Sequence, residues 1–210
     1  MSIVTLNDRA VRSVTTFGSV SGGSMVFIKK LTASSDGTLS FVNGASSVVL
    51  DNTYKEYIFT FKNIHPSNSG AANFTFQGST DTGSSYGVTM TATHFATFHK
   101  ENDSSVSLAY DTDEDLAQST GFKTILMALN GSNNADVNGS GYLHLYNPSS
   151  TTFVKHFISR ISGQYGSNAD QAHESYAAGY FNTSSAIDAI QFKMNSGNID
   201  AGDICLYGIN

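Results

Sequence analysis

The sequence feature that most constrains the fold of this chain is a hydrophobic alternation of period two that recurs along most of its length. In residues 88–93 Val, Met and Ala alternate with threonine, and in residues 190–194 Ile, Phe and Met alternate with Gln and Lys. A period of two separates the two faces of a β-strand, and one polar face is typical of an antiparallel sheet. Clusters of Gly, Asn, Asp and Ser interrupt the alternation and mark turns. The pattern predicts roughly a dozen short strands and almost no helix.

The length of the chain favours one domain. Its 210 residues fall within the range of roughly 200–250 residues over which β-sandwiches form a single domain. No change of composition along the sequence marks a second domain. We therefore predict an all-β fold, a single antiparallel β-sandwich at residues 25–210, preceded by an N-terminal arm at residues 1–24.

The arm is set apart by isolated apolar side chains among charged and small ones, and by a glycine-rich end at residues 18–23. Such an end is typical of a flexible joint. The segment is either an ordinary first strand with its loop or an arm that lies on a neighbouring subunit. In the second case the predicted contact residues are Ile3, Leu6, Arg9, Val11, Arg12 and Phe17.

Two local predictions depend on turn and cap residues. Asn43-Gly44 tolerates positive φ, so we predict a hairpin between strands at residues 38–42 and 46–50. Residues 111–118 are predicted to form a short helix, because Asp111 stands at the cap position and Glu114 at the capping-box position.

Three further predictions depend on the apolar pattern. Residues 122–129 are apolar on both faces, which predicts a central strand covered on both sides. Residues 86–93 and 94–100 predict two successive strands. Residues 159–172 lack a clear alternation, and we predict a long polar loop there, followed by a strand at residues 173–181.

The charge distribution argues against nucleic acid as a partner. The net charge is −6, the isoelectric point is near 5.3, and the eleven Lys and Arg residues are scattered, whereas nucleic-acid binding requires a basic surface. No stretch approaches the ~20 apolar residues that span a bilayer, and residues 1–20 lack the apolar core of a signal peptide. We therefore expect no membrane partner and synthesis in the cytoplasm.

No residue pattern indicates catalytic, metal or cofactor chemistry. The histidines form no HxH or HExxH pair, and His94 and His99, five apart, should lie on opposite faces of a strand. The acids at residues 111–115 lack the glycine and the terminal glutamate of an EF-hand loop, so they indicate a solvated helix start, with a structural cation as the alternative. Cys205 lies in an apolar run without a nearby cation, which indicates a buried strand residue. We predict no catalytic residues, no metal site and no cofactor.

The tyrosines are the candidate binding residues. Tyr165, Tyr176 and Tyr180 lie in or beside the predicted long loop, where they could stack on a glycan or contact a protein partner. Burial in the core or in a contact between subunits is the alternative.

Seven stretches that are spread over almost the whole chain look familiar together: residues 5–12, 16–19, 51–66, 115–121, 146–153, 191–202 and 206–209. Together they resemble a group of virion-associated structural proteins of tailed marine bacteriophages, of the cyanophage and pelagiphage type. It implies a jelly-roll-like sandwich exposed on a virion. Its motifs carry no chemistry, so no functional residue is transferred.

Pattern and resemblance together lead to an expected function. We expect a non-enzymatic phage structural protein, a head decoration or surface protein that binds neighbouring capsid subunits and is located in the virion after synthesis in the host cytoplasm. The expected partners are other virion proteins and further copies of the chain, with a trimer as the expected homo-oligomer. The alternatives are a tail-appendage component, a glycan-binding module for host recognition, and a polysaccharide-degrading enzyme with two paired carboxylates.

Overall fold

The computed structural model describes residues 24–68, 70–130, 136–165 and 170–210. These residues form thirteen β-strands and no helix, and therefore no helix that could cross a membrane. The strands are β1 (Met25–Thr32), β2 (Leu39–Val42), β3 (Glu56–Pro66), β4 (Ala71–Ser79), β5 (Met90–Lys100), β6 (Val106–Tyr110), β7 (Leu116–Ser119), β8 (Lys123–Asn130), β9 (Gly139–Tyr146), β10 (Lys155–Tyr165), β11 (Gln171–Phe181), β12 (Ala189–Met194) and β13 (Ile199–Ile209). The all-β prediction is confirmed. The predicted arm contacts Ile3, Leu6, Arg9, Val11, Arg12 and Phe17 lie outside the described residues.

The strands form two antiparallel sheets that pack face to face. The large sheet has the order β1-β13-β3-β9-β10-β11-β5-β6, with β7 also paired to β5, and the small sheet has the order β2-β12-β4-β8. The quartet β1-β13-β3-β9 opposite β2-β12-β4-β8, with the chain passing between the sheets, is the eight-strand arrangement of a jelly roll. Two insertions, β5–β7 and β10–β11, extend the large sheet beyond that quartet.

The core between the sheets is centred on Phe192 of β12, which is fully buried. Five phenylalanine rings lie around it with centroid distances between 5.2 and 6.3 Å: Phe41, Phe59, Phe61, Phe74 and Phe76. They come from β2, β3 and β4, so this one cluster joins both sheets. Burial of aromatic surface is the main stabilising contribution in such a core.

The helix predicted at residues 111–118 is wrong. The Oδ1 atom of Asp111 accepts a hydrogen bond from the backbone N–H of Asp113 at 3.0 Å, which turns the chain locally. Residues Leu116–Ser119 then form β7 and pair with β5. Pairing of residues 116–119 with the edge of β5 is therefore more favourable than a short helix that only its cap residues would stabilise.

The hairpin predicted at residues 38–50 is also wrong in its second strand. Asn43-Gly44 does turn the chain, with Gly44 at φ 80°, but residues 46–50 form no strand. β2 pairs instead with β12, and Val48 and Leu50 enter the core from an irregular segment. Burial of these two side chains explains their apolar pattern without a second strand.

Three other boundaries differ from the predictions. The strand predicted at residues 122–129 exists as β8, but among the described strands it pairs only with β4 and is an edge strand, covered by β10 and β11 of the facing sheet. The segments 86–93 and 94–100 contribute to one strand, β5. The loop predicted at residues 159–172 is too long, because β10 continues to Tyr165 and β11 begins at Gln171.

Candidate functional site

The outer face of the large sheet, which points away from the small sheet, carries a transverse row of large side chains. Register places Tyr142 of β9 beside Arg160 of β10, Arg160 beside Tyr176 of β11, Tyr176 beside Phe95 of β5, and Phe95 beside Tyr110 of β6. Directly paired residues of an antiparallel sheet lie on the same face. We call these five residues the outer aromatic row.

This face also holds most of the exposed apolar surface. Eight large apolar side chains that are more than a third exposed lie on it: Met25, Phe27, Phe95, Val106, Leu108, Tyr110, Tyr142 and Ile158. Single exposed apolar residues are common, but a contiguous group on one face is typical of an interaction site.

Side-chain contacts fix the centre of the outer aromatic row. The Phe95 and Tyr176 rings stack with centroids 4.5 Å apart and an interplanar angle of 5°. The Arg160 guanidinium lies 5.4 Å from the centroid of the Tyr176 ring and donates a hydrogen bond to Glu174. The Tyr176 hydroxyl donates to the other oxygen of Glu174 at 2.6 Å. The row is therefore a preorganised surface, not a set of freely rotating side chains.

The protonation states of this cluster are fixed by the same contacts. The hydrogen bond from Arg160 holds the pKa of Glu174 below its usual value. The hydrogen bond to Glu174 raises the pKa of Tyr176, and the hydrogen bond to Asp115 raises the pKa of Tyr110. At neutral pH Glu174 is therefore ionised, while both tyrosines keep their protons.

A groove of about 670 Å³ lies next to the row on the same face. Ala178 of β11 and Thr93 of β5 line its middle, Ile158 lies on the β10 side, and Tyr110 and Asp115 lie on the β6 side. The Tyr110 hydroxyl donates a hydrogen bond to Asp115 at 2.8 Å. Small residues flanked by larger ones thus produce a largely apolar depression with one carboxylate at its margin.

Close approach of β5 and β11 beside this groove depends on Gly179. A Cβ atom at this position would lie 2.4 Å from the Thr91 carbonyl oxygen and 2.7 Å from the Ala92 Cβ. We expect Gly179→Ala to lower the free energy of unfolding by about 1–3 kcal/mol, because the backbone must move apart. Urea unfolding measures this change. The control is Gly87→Ala, since a Cβ there would meet nothing within 4 Å; equal stability of the two variants would contradict the prediction.

A second group of polar residues is buried between the sheets below β5 and β11. Lys123, His94 and His173 are at most 2% exposed. The Lys123 ammonium lies 3.2 Å from the His94 Nδ1 atom and donates to the Glu114 carbonyl. Burial lowers the pKa of His94 and of His173 to about 4, and that of Lys123 to about 8. This group is closed to solvent, so its protonation affects the stability of the fold.

The structure separates the three tyrosines that the sequence suggested as one surface. Tyr176 and Tyr180 both lie on the outer face of β11. Tyr165 lies at the end of β10 on the inner face. The centroid of its ring lies 4.7 Å from that of Phe98 and 5.5 Å from that of His173. Phe95, Tyr110 and Arg160 are not predicted from the sequence, because only the strand register brings them into one row with Tyr176.

The structure also gives the positions of Cys205, His94 and His99, for which the sequence made predictions. Cys205 is buried on β13, and His94 is buried while His99 is exposed, so the predictions for these residues are confirmed. Within the described ranges, no three His, Cys, Asp or Glu residues are grouped so that they could hold a metal ion.

Comparisons with known proteins give no further assignment. Scans of this chain against protein-family models, curated proteins and solved structures found no match.

Proposed function

We propose that this chain is a non-enzymatic structural protein of a tailed-phage particle, a head decoration or surface protein that binds neighbouring capsid subunits and further copies of itself. The observation that carries the proposal is the outer face of the large sheet, where eight exposed apolar side chains lie, three of them in the preorganised outer aromatic row. The resemblance to virion proteins of marine phages supports the same conclusion. The jelly-roll topology is compatible with it but serves many other functions as well.

The chemistry of the outer face fits a protein partner better than a small substrate. Aromatic and arginine side chains are enriched at the centres of protein interfaces, and Tyr142, Arg160, Tyr176 and Phe95 form a continuous series of this kind. Their contacts with one another reduce the entropy that binding must remove.

Binding of the protein to phage particles tests this proposal. We expect Ile158→Lys to weaken binding by about tenfold or more, because Ile158 is 49% exposed on the outer face and a buried charge without a partner is costly. The matched control is Phe153→Lys. Phe153 is 70% exposed but lies in the loop before β10, outside the outer face. Equal binding by the two folded variants would contradict the use of this face.

A glycan-binding module for host recognition is the second candidate, and the groove favours it specifically. Tyr180, Tyr110 and Asp115 line the groove and could provide a stacking surface and a hydrogen-bond acceptor for a sugar. A glycan array with host surface polysaccharides distinguishes the two functions. Saturable binding that is lost in Tyr180→Ala would favour the glycan module, and no binding at high protein concentration would leave the structural role.

A further inference from the structure

The large sheet ends in two open edges, β6 and β1. Among the described strands β6 pairs only with β5, and all five of its residues are exposed, with Val106 at 66%, Leu108 at 72% and Tyr110 at 54%. Among the same strands β1 pairs only with β13, and its Met25 and Phe27 are 44% and 57% exposed. Open edges with apolar side chains are templates for pairing with a further strand.

Hydrogen bonding shows which backbone groups of β6 point toward the open edge. The Ser105 carbonyl accepts a hydrogen bond from the Lys100 N–H, and the Asp111 N–H donates one to β5. Because backbone direction alternates along a strand, every second residue between them points away from β5. The residues whose N–H and C=O groups point toward the open edge are therefore Val106, Leu108 and Tyr110.

The β1 edge has the same phase. The Asn210 N–H donates to the Ser24 carbonyl at 2.9 Å, so the backbone groups of Ser24 and Val26 point toward β13. Those of Met25 and Phe27 point toward the open edge, and the side chains of both lie on the outer face. On both edges, the residues whose backbone groups face outward therefore carry the exposed apolar side chains.

The two edges carry opposite charge. The turn before β6 and the loop after it, residues 101–105 and 111–115, contain no base, and their acids are Glu101, Asp103, Asp111, Asp113, Glu114 and Asp115. β1 contains Lys29 and Lys30 and no acid. The Lys30 Nζ atom lies 3.3 Å from Asp203 of β13, but Lys62 of β3 pairs in register with the same aspartate. Two lysines thus share one carboxylate, and the β1 edge keeps a positive charge.

The strand directions of the two edges are also compatible. Seven antiparallel pairings separate β1 from β6 along the large sheet, so the two edge strands run in opposite directions. A second copy that is related to the first by rotation about an axis parallel to the strands keeps these directions. Its β1 therefore runs antiparallel to β6 of the first copy, in a head-to-tail arrangement that a ring closes.

We propose that β1 of a second copy of this chain pairs antiparallel with β6, with Phe27 opposite Leu108. The inference rests on the proposed function, since it names the contact through which copies associate. In this register Met25 meets Tyr110 on the outer face, and Lys30 lies beside the acidic turn before β6. Pairing of this kind uses main-chain hydrogen bonds for affinity and alternate side chains for specificity.

Charge disfavours the pairing of like edges. Two antiparallel β6 strands would bring the turn at residues 101–105 of one copy against the loop at residues 111–115 of the other, and both are acidic. Two β1 strands would add lysines without adding an acid from either strand. Because juxtaposed like charges suppress a wrong partner, each edge suits the opposite edge of the next copy better than its own equivalent.

Mixing two edge-blocked variants of the full chain tests the proposal. Leu108→Pro removes an N–H from the β6 edge and Phe27→Pro removes one from the β1 edge, while the bonds to β5 and β13 stay in place. We expect each variant alone to associate at least about tenfold more weakly than the wild type. An equimolar mixture should form a dimer with one copy of each, because each variant retains the edge that the other has lost.

Analytical ultracentrifugation measures these states. Leu108→Val and Phe27→Val are the matched controls, since they keep the N–H and the strand preference, and we expect both to associate like the wild type. A monomeric wild type, a proline variant that associates with itself at wild-type strength, or folded variants that form no dimer in the mixture would each overturn the proposal.

A disulfide trap tests the register and does not depend on the folding of the proline variants. Residues 27 and 108 of one copy lie seven strand spacings apart, roughly 34 Å, so a disulfide between them joins two copies. Directly opposed residues of the proposed pair have Cα atoms about 5.5 Å apart, which a disulfide can bridge. After mild oxidation of an equimolar mixture of Phe27→Cys and Leu108→Cys, we expect the mixed dimer to predominate in mass spectra. A predominant dimer of Leu108→Cys with itself, or no excess of the mixed dimer, would overturn the proposal.

These solution measurements and the particle experiments can fail separately. A chain that is monomeric in solution and still occupies regular positions on a phage head would overturn only the pairing of β1 with β6. A chain that pairs through these edges and is absent from particles would overturn only the proposed function.

Discussion

We expect Phe192→Ala to lower the free energy of unfolding by about 4 kcal/mol, which is a large part of the roughly 5–15 kcal/mol that stabilises a typical domain. The ring is fully buried and contacts rings from three other strands. Its removal leaves a cavity between the two sheets that the surrounding phenylalanines cannot fill without leaving their rotamers. Urea unfolding followed by tyrosine fluorescence measures the change, since the chain contains ten tyrosines and no tryptophan.

Two further variants keep this prediction testable. Phe153→Ala removes a ring that is 70% exposed, so we expect the free energy of unfolding to change by no more than about 0.5 kcal/mol. Phe192→Leu keeps part of the buried volume and should fold if the alanine variant does not. A loss below about 1 kcal/mol for Phe192→Ala would show that the phenylalanine cluster is not the core of the fold.

Acidification is the second change with a large expected effect, and it acts through His94 and His173. Burial lowers the pKa of each to about 4 in the folded protein, whereas an unfolded histidine has a pKa near 6.5. Between these values the unfolded chain binds more protons than the folded chain. The contribution of these two histidines to stability is therefore complete above pH ~6.5 and decreases as the pH falls toward 4, by at most about 3 kcal/mol for each imidazole.

Replacing each histidine in turn tests whether His94 and His173 cause the loss of stability at low pH. The slope of the free energy of unfolding against pH between 6.5 and 4 should fall by about half in His94→Gln and in His173→Gln, whatever their stability at pH 7. His99→Gln is the control, because the His99 side chain is 55% exposed. An unchanged slope in the double variant would assign the acid sensitivity between pH ~6.5 and ~4 to groups other than these two histidines.

Hydrophobic alternation predicted the strands well but not their partners. Residues 190–194 alternate as β12 does in the structure, yet nothing local indicates that Phe192 meets rings of β2, β3 and β4. The same limit applies to the outer aromatic row, since Phe95 and Tyr176 are brought together by the register of two distant strands. Sheet register is set by tertiary packing, so a single sequence does not reveal it.

The wrong local predictions also have physical causes. Residues 159–165, the second half of β10, are predicted as a loop because two inner-face positions hold Ser159 and Gly163 in place of large apolar residues. The outer face of this half-strand is solvated, so it adds no apolar pattern. The helix at residues 111–118 had a good cap but too few residues to persist against an available sheet edge. In both cases the surroundings in the folded protein outweighed local preference.

The most direct test of the proposed function is a cryo-EM map of the purified tailed-phage particle proposed to contain this chain, searched for the two-sheet fold described above. We expect repeated density on the head surface, with the outer face of the large sheet against neighbouring subunits. Density confined to the tail tips would assign the protein to host recognition. Absence of the chain from the particle would contradict the structural role.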